Sequence, residues 1–510
     1  MAEASVVSGP DFRLGVDLAE IPDNGVLAGH VDGTPVLLAR LADGVHAVSG
    51  SCTHYGGPLA EGLRVGEEIR CPWHHACFSL RTGQALKAPA FAPLACWQVE
   101  VAGGKAFVRA ALPAPGPAPG PASFVHAGQT PRRIVLVGGG AAAFAAAERL
   151  RALGFDGQLD MLSADRAAPC DRPNLSKDYL AGTAPEDWIP LRPPAFYREQ
   201  AIGLHLGCEV TALDPAARRV ATADGRPFDY DALLLATGAE PNRLPLPGFD
   251  RPEVHLLRSL DDANALIAAL AGAQRVVLVG AGFIGLEAAG ALRTRGLAVD
   301  VVAPEALPLA GLLGEALARH LLERHQAQGV NFHLNRKPTD FDGHHVTLSE
   351  GGPLAADVVL VGVGVKPRTA LASAAGLAVD QGIVVDARLR TSAPGVYAAG
   401  DVARFPAGAG AARVEHWVHA QRQGQVAAAN MLGADLAFDD PPFFWTHHYG
   451  MDLRYLGHGR GWTEAVVDGS PASGHCLVRY LREGRLLAAA AIGRDRELLA
   501  LEAELRRAPR

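Results

Sequence analysis

Two short runs near the N-terminus carry metal-binding chemistry: Cys52-Thr53-His54 and, after sixteen intervening residues, Cys71-Pro72-Trp73-His74. Each offers one thiolate and one imidazole. Two Cys and two His are the donor set of a [2Fe–2S] centre in which sulfur holds one iron and nitrogen the other, and they also suit a Cys2His2 zinc site. Zinc fingers usually place Cys with Cys and His with His at short spacing. Here each run mixes the two, which favours the cluster, so Cys52, His54, Cys71 and His74 are the expected iron ligands.

Two further stretches have phosphate-binding chemistry. The apolar run Arg133-Ile-Val-Leu-Val enters Gly138-x-Gly140-x-x-Ala143 and then an Ala-rich segment. Gly138 permits a tight turn, Gly140 lets backbone amides approach a pyrophosphate, and small Ala143 allows a helix to pack on the strand. The pattern recurs after Arg275-Val-Val-Leu-Val, with Gly280, Gly282 and Gly285 in register. Two units of this kind imply two dinucleotides, and a nicotinamide hydride donor with a flavin fits. Asp165 follows the run Gln158-Leu-Asp-Met-Leu-Ser as the first ribose carboxylate, and Glu305, just beyond Ala303, is the second candidate for a ribose hydroxyl. No Arg or Lys lies between Asp300 and Leu313 to welcome a 2′-phosphate, which favours NADH over NADPH.

The elements that must position these residues differ along the chain. From Asp11 to Arg109, short apolar runs broken by Gly, Asp and Asn predict a small all-β domain, with both metal runs at turns rich in Gly and Pro. Residues 111–131 alternate Pro with small residues and predict an extended tether. The strand-to-helix glycine motifs predict two Rossmann-like α/β domains, and alternating runs past Pro441-Pro442 predict a C-terminal α/β cap. The boundaries expected are 10–110, 111–131, 132–250 and 373–440 for one dinucleotide domain in two parts, 251–372 for the other, and 441–510.

A chain of 510 residues is too long for one core. Its net charge of −7 offers no basic field for nucleic acid. No long apolar stretch and no secretory leader is seen, so no membrane contact and a cytoplasmic location are expected. Seven scattered cysteines read as two ligands plus buried thiols, Cys77 among them. His75 is expected to face solvent, and the pairs His416/His419 and His447/His448 to serve in packing.

The first metal run, the second, and the following Phe78, Leu80, Thr82-Gly83 and Pro89-Ala90 closely resemble Rieske domains of the ferredoxin and reductase-linked type. High-potential members of that family carry an additional cysteine in each loop, joined as a disulfide, and Ser and Tyr hydroxyls near the sulfurs. The matching positions here are Gly57, Trp73, Ala76 and Phe78. Fewer hydrogen bonds leave the reduced form less stabilised, which implies the lower end of the Rieske range of about −150 to +300 mV.

Residues 132–510 resemble the FAD-dependent pyridine-nucleotide reductases, in the ferredoxin-reductase and apoptosis-inducing-factor-like branch. The resemblance rests on the glycine loops, Asp171-Arg172-Pro173-x-Leu175-Ser176-Lys177, Ala236-Thr237-Gly238 and Pro394-Gly-Val-Tyr-Ala-Ala-Gly-Asp401. It implies that the first unit binds FAD, with Arg172 in the binding motif and Val210 and the Ala236–Gly238 turn near the adenine half. Asp401 would contact the ribityl chain. Lys177, paired with Glu287, would lie beside the reactive flavin nitrogen, with Trp417 and Trp445 near the ring. Disulfide reductases of this fold carry a cysteine pair beside the flavin, whereas Cys170 and Cys208 stand alone, which favours a one-electron acceptor. The expected function is NADH oxidation through FAD to the chain's own Rieske cluster and on to an unidentified protein or small molecule. A redox-sensing signalling flavoprotein and a reductase component of a multi-protein oxygenase are the alternatives, and monomer and homodimer both remain open.

Overall fold

A computed structural model describes residues 9–113, 131–407, 410–459 and 461–507. The greater part of the expected Pro-rich tether, residues 114–130, lies outside the described residues. The architecture is the expected one: an all-β domain, two dinucleotide folds and a C-terminal cap.

The N-terminal domain packs a six-stranded antiparallel sheet, running from Val16–Asp17 at one edge to Leu27–Val31 at the other, against a smaller sheet of four. The smaller sheet pairs Leu63–Val65, Glu68–Arg70, Cys77–Ser79 and Ala85–Lys87 in order. The first metal run follows the strand Gly44–Ser49, and the second joins Glu68–Arg70 to Cys77–Ser79. Leu37, Val48, Leu59, Ile69 and Phe78 pack beneath both loops, with Cys52 and Cys71 in the same cluster. A buried apolar floor therefore fixes where the two loops emerge.

Each glycine motif opens a five-stranded parallel sheet. The first sheet centres on Arg133–Val137, flanked by Gln158–Leu162 and Ala232–Leu235, with Val396–Ala398 at an edge. The second centres on Arg275–Val279, between Val358–Val361 and Ala298–Ala303. Their near-continuous Val, Leu and Ile runs reflect burial on both faces, as crossover helices require. Gly138 and Gly280 end the central strands with φ of +124° and +107°, and a Cβ there would come within 2.2 Å of the Ala236 carbonyl oxygen and 2.4 Å of the Gly362 one. Both turns are closed to any side chain.

The Ala-rich composition after the first motif has a packing cause. The helix Ala141–Ala152 crosses Trp417–Met431 so closely that a Cβ on Gly424 would lie 2.1 Å from the Ala142 carbonyl oxygen. The cap is an antiparallel sheet of five, beginning with Phe443–His448 and Met451–Gly457, with the helix Asp495–Arg507 against it. Among the described residues, no helix is long and apolar enough to cross a membrane.

Candidate functional site

The two metal loops share one backbone design. In the first, the Cys52 N–H donates to the Gly57 carbonyl at 2.9 Å and the Gly56 N–H to the Cys52 carbonyl at 2.9 Å. In the second, Cys71 donates to Ala76 at 2.8 Å and His75 to Cys71 at 3.1 Å, with the same offsets. His75 therefore occupies the position of Gly56, and both are left-handed, at φ +59° and +76°. The loops bring like donors together. The Cys52 and Cys71 thiols contact one another, and the Nδ1 atoms of His54 and His74 face each other at 3.1 Å.

Burial pushes His54 down to about 4 and His74 well below its ordinary value, which favours the neutral imidazole that metal binding requires. Among the described residues no three His, Cys, Asp or Glu donors gather about one point. A sulfur pair beside a nitrogen pair fits a dinuclear centre taking two donors per iron, and fits one tetrahedral ion less well. Gly57 faces Trp73: a Cβ there would lie 3.1 Å from the indole and 2.9 Å from the Cys71 sulfur. Packing thus stands where the loop disulfide of high-potential relatives would be, and all seven cysteines are free.

One expectation is overturned. His75 does not face solvent. It is wholly buried, stacked on Phe443 of the cap at 3.9 Å between ring centroids. Its glycine-like backbone is a local property of the loop, whereas its burial comes from another domain closing over the loop tip. Cys77 is buried, as are His419 and His448; His416 is half-buried, and His447 pairs with Asp452 at 2.7 Å near the surface.

The dinucleotide motifs enclose a cavity of about 1220 Å3. Gly138, Gly140, Asp165 and Arg172 form one wall, and Val210, Ala236 and Gly238 continue it. Lys177, Asp401, Trp417 and Trp445 lie on the same cavity, which Gly282, Gly285 and Glu287 close from the second unit. Gly280 sits in the strand-ending turn behind it, and Ala143 is buried in its helix, where its small size matters. Glu305 is exposed and outside the lining. Arg172 donates to Asp165 at 2.8 Å, and Arg258, which the motifs did not point to, donates to Asp401 at 2.7 Å.

At the centre of the cavity wall Glu287 is a buried carboxylate with three donors. Its Oε2 accepts from Lys177 Nζ at 2.8 Å and Ser176 Oγ at 2.7 Å, and its Oε1 accepts from Thr446 Oγ1 at 2.6 Å. Thr446 has one proton, which is directed to Glu287, so its oxygen accepts from the His448 Nε2–H at 2.9 Å. His448 Nδ1 must then accept from the His325 Nε2–H, 3.1 Å away. The chain of donors runs one way, from His325 to Glu287, and holds the carboxylate that pairs with Lys177.

Thr446 lies on the strand Phe443–His448, whose alternating side chains address two sites. Phe444, Thr446 and His448 point to the cavity side, toward Phe283, Glu287 and His325. Phe443 and Trp445 meet the metal loops: Phe443 stacks on His75, and the Trp445 ring lies 4.1 Å from that of His74. Trp445 also reaches the cavity lining. On the other loop Tyr55 stacks on His54 at 4.0 Å and its hydroxyl donates to Asp171, next to Arg172. A shell of polar contacts surrounds this junction, including Lys87 to Asp440 at 2.8 Å and Arg70 to Glu502 at 3.1 Å. Thr446, His448, Tyr55 and these ion pairs were not legible in any motif. Phe443-Phe-Trp-Thr-His-His shows no alternation of apolar and polar residues that would have flagged them.

Known proteins share this organisation. Residues 132–424 match the family model of pyridine nucleotide-disulphide oxidoreductases, residues 16–98 that of the Rieske [2Fe-2S] domain, and residues 443–508 that of the reductase C-terminal domain. Apoptosis-inducing factor 3 of Homo sapiens is 34% identical over 476 residues, covering 90% of this chain and 78% of its own. The ferredoxin--NAD(+) reductase component of the anthranilate 1,2-dioxygenase system of Burkholderia cepacia is 40% identical over 372 residues, covering 71% of this chain and 91% of its own. A crystal structure of the covalent putidaredoxin reductase-putidaredoxin complex aligns with a TM-score of 0.71 and 32% identity, over 74% of this chain and 93% of that one.

Proposed function

The chain belongs to the pyridine nucleotide-disulphide oxidoreductase family and is an FAD-dependent oxidoreductase with a Rieske domain, and from that premise we propose that it passes electrons from NADH through FAD to its own Rieske cluster and on to a separate protein or small molecule. The observation that carries the proposal is the Trp445 ring, which touches the ligand His74 and lines the dinucleotide cavity. Bound FAD would take a hydride from the nicotinamide and release electrons singly to an acceptor such as a [2Fe–2S] cluster.

The residues of the chain have separable tasks. The turns after Gly138 and Gly280 would present backbone N–H groups to the two pyrophosphates. Lys177, held by Glu287 on the cavity wall, would offer a cation to the negative charge that develops on a reduced flavin ring. Trp445 and Tyr55 set aromatic rings against His74 and His54 on the side of the metal loops that faces the cavity. The absence of Arg and Lys between Asp300 and Leu313 supports NADH over NADPH, and seven free cysteines fit a reducing, cytoplasmic setting.

Anaerobic stopped-flow reduction by NADH, with flavin and cluster absorbance followed separately, tests the sequence of transfer. Flavin bleaching is expected first, with cluster bleaching after it at a rate independent of protein concentration. A cluster that stays oxidised beside fully reduced flavin would exclude internal transfer.

A further inference from the structure

Two guanidinium groups from outside the Rieske domain close on its second metal loop, one on each side of His74. Arg454, 5% exposed on the strand Met451–Gly457, donates from Nε to the Trp73 carbonyl at 2.9 Å. Arg422, 3% exposed on Trp417–Met431, donates from Nη2 to the His75 carbonyl at 2.6 Å. The Trp73 carbonyl and the His74 N–H belong to one planar peptide unit. That N–H, like the Trp73 N–H, is directed at the Cys71 sulfur.

A hydrogen bond to a peptide carbonyl polarises the whole unit and strengthens the donor at its far end. Arg454 therefore acts on the Cys71 sulfur through a peptide, without touching it. Its charge is offset at longer range by Asp495 at 2.9 Å and Asp452 at 3.5 Å, so the effect arrives through the polarised N–H more than through a distant field.

We propose that Arg454, with Arg422 in a secondary role, couples the potential of the cluster to domain docking: the docked cluster holds an electron more tightly, and the reduced cluster domain docks more tightly. The inference rests on Cys52, His54, Cys71 and His74 being cluster ligands. Reduction adds one electron and one negative charge to the cluster without making or breaking a bond. The electron comes from NADH by way of the flavin. Hydrogen bonds to ligand sulfur favour that added charge and raise the potential. Linkage then requires reciprocity, because a contact that favours the reduced form is itself favoured by reduction.

The test is a potentiometric titration of the full-length protein with the cluster read by electron paramagnetic resonance. Arg454→Gln is expected to lower the midpoint, a tenfold loss in the one-electron equilibrium corresponding to 59 mV. Arg454→Lys recovers part of the fall. Arg422→Gln, whose carbonyl partner lies in a different peptide unit, gives a smaller one. Arg319→Gln, on an exposed side chain paired with Glu315, changes nothing.

Hydrogen exchange on the unmutated protein gives an independent reading should Arg454→Gln fail to fold: residues 71–76 and 417–431 are expected to be better protected after reduction. Equal protection in the two redox states, or an unchanged midpoint in a well-folded Arg454→Gln, overturns the coupling while leaving the ligands in place. Absence of a Rieske signal from the unmutated protein overturns the ligand reading itself, and the coupling with it.

Discussion

Replacing Glu287 by Gln removes one charge from the point where three donors converge and leaves the volume almost unchanged. An amide has one acceptor oxygen and one NH2 donor. Placed at the Oε2 position, the NH2 would meet the Lys177 ammonium and the Ser176 hydroxyl proton, 2.8 and 2.7 Å away. At the Oε1 position it would meet Thr446, 2.6 Å away, whose oxygen already accepts from His448. The second placement is less unfavourable, because only the Thr446 proton must turn away. Lys177 then keeps a neutral carbonyl instead of a carboxylate. Hydrogen bonds to charged groups contribute about 1.5–3 kcal/mol and neutral ones about 0.5–1.5, so Lys177 loses on the order of 1 kcal/mol of restraint. The displaced Thr446 proton, buried without an acceptor, adds a further ~1 kcal/mol. Expressed in the transition state, ~2 kcal/mol slows hydride transfer about thirtyfold. Anaerobic stopped-flow at saturating NADH measures this step, once FAD content has been shown equal to that of the unmutated protein. An unchanged hydride-transfer rate in a fully loaded Glu287→Gln protein would refute the assignment of the pair.

Three other outcomes are expected. Trp445→Leu leaves flavin reduction by NADH intact but slows cluster reduction about tenfold, the equivalent of about 1.4 kcal/mol of barrier, in the same two-wavelength experiment. Thr446→Val breaks the donor chain and leaves the His448 Nε2–H without an acceptor at a cost of about 1–3 kcal/mol, whereas Thr446→Ser keeps the hydroxyl. Thermal melts and hydride-transfer rates should separate the two variants. The domain contact depends on acid. Burial pushes the Asp440 carboxyl up, but Arg422, Lys87 and Arg506 together hold it well below the usual carboxylate range, and Glu502 is lowered in the same way by Arg422 and Arg70. Acids with depressed folded values stabilise the contact fully above their unfolded values of about 4 and lose that contribution as pH falls below them. The radius of gyration from X-ray scattering is therefore expected to stay constant between about pH 5 and 8 and to rise only on stronger acidification.

What could be read from the chain alone follows the range of the interactions. The metal runs and glycine motifs are local: each needs a turn, a strand end or a helix start, and those are written in neighbouring residues. Pairing Lys177 with Glu287 needed a family resemblance, because the two lie on different domains. Thr446, Arg422 and Arg454 carried no motif at all. Their partners are Glu287, the His75 carbonyl and the Trp73 carbonyl, separated from them by 159, 347 and 381 positions. That Thr446 and His448 share a face follows only once Phe443–His448 is known to be a strand, and what that face meets lies in other parts of the chain. His75 shows both halves of the limit: its left-handed backbone matches a position where Gly is common, yet only the arrival of Phe443 decides that it is buried.

The same contact accounts for the missing loop disulfide. High-potential members of the resembled family join the two loops covalently. Here the Gly57 position has no room for a second sulfur, because a Cβ would press on Cys71 and on Trp73. The second loop is held from outside instead, by Arg454 on one side of His74, Arg422 on the other and Phe443 beneath His75. Its rigidity is then conditional on docking, whereas a disulfide would make it permanent. The family resemblance implies a potential at the lower end of the Rieske range from Ala76 and Phe78, and under the proposed coupling the clamp would raise it from that base only while the domains are together. Under the proposed coupling, a low intrinsic potential and a docking-dependent correction would make electron uptake at the flavin side and release elsewhere favourable in turn.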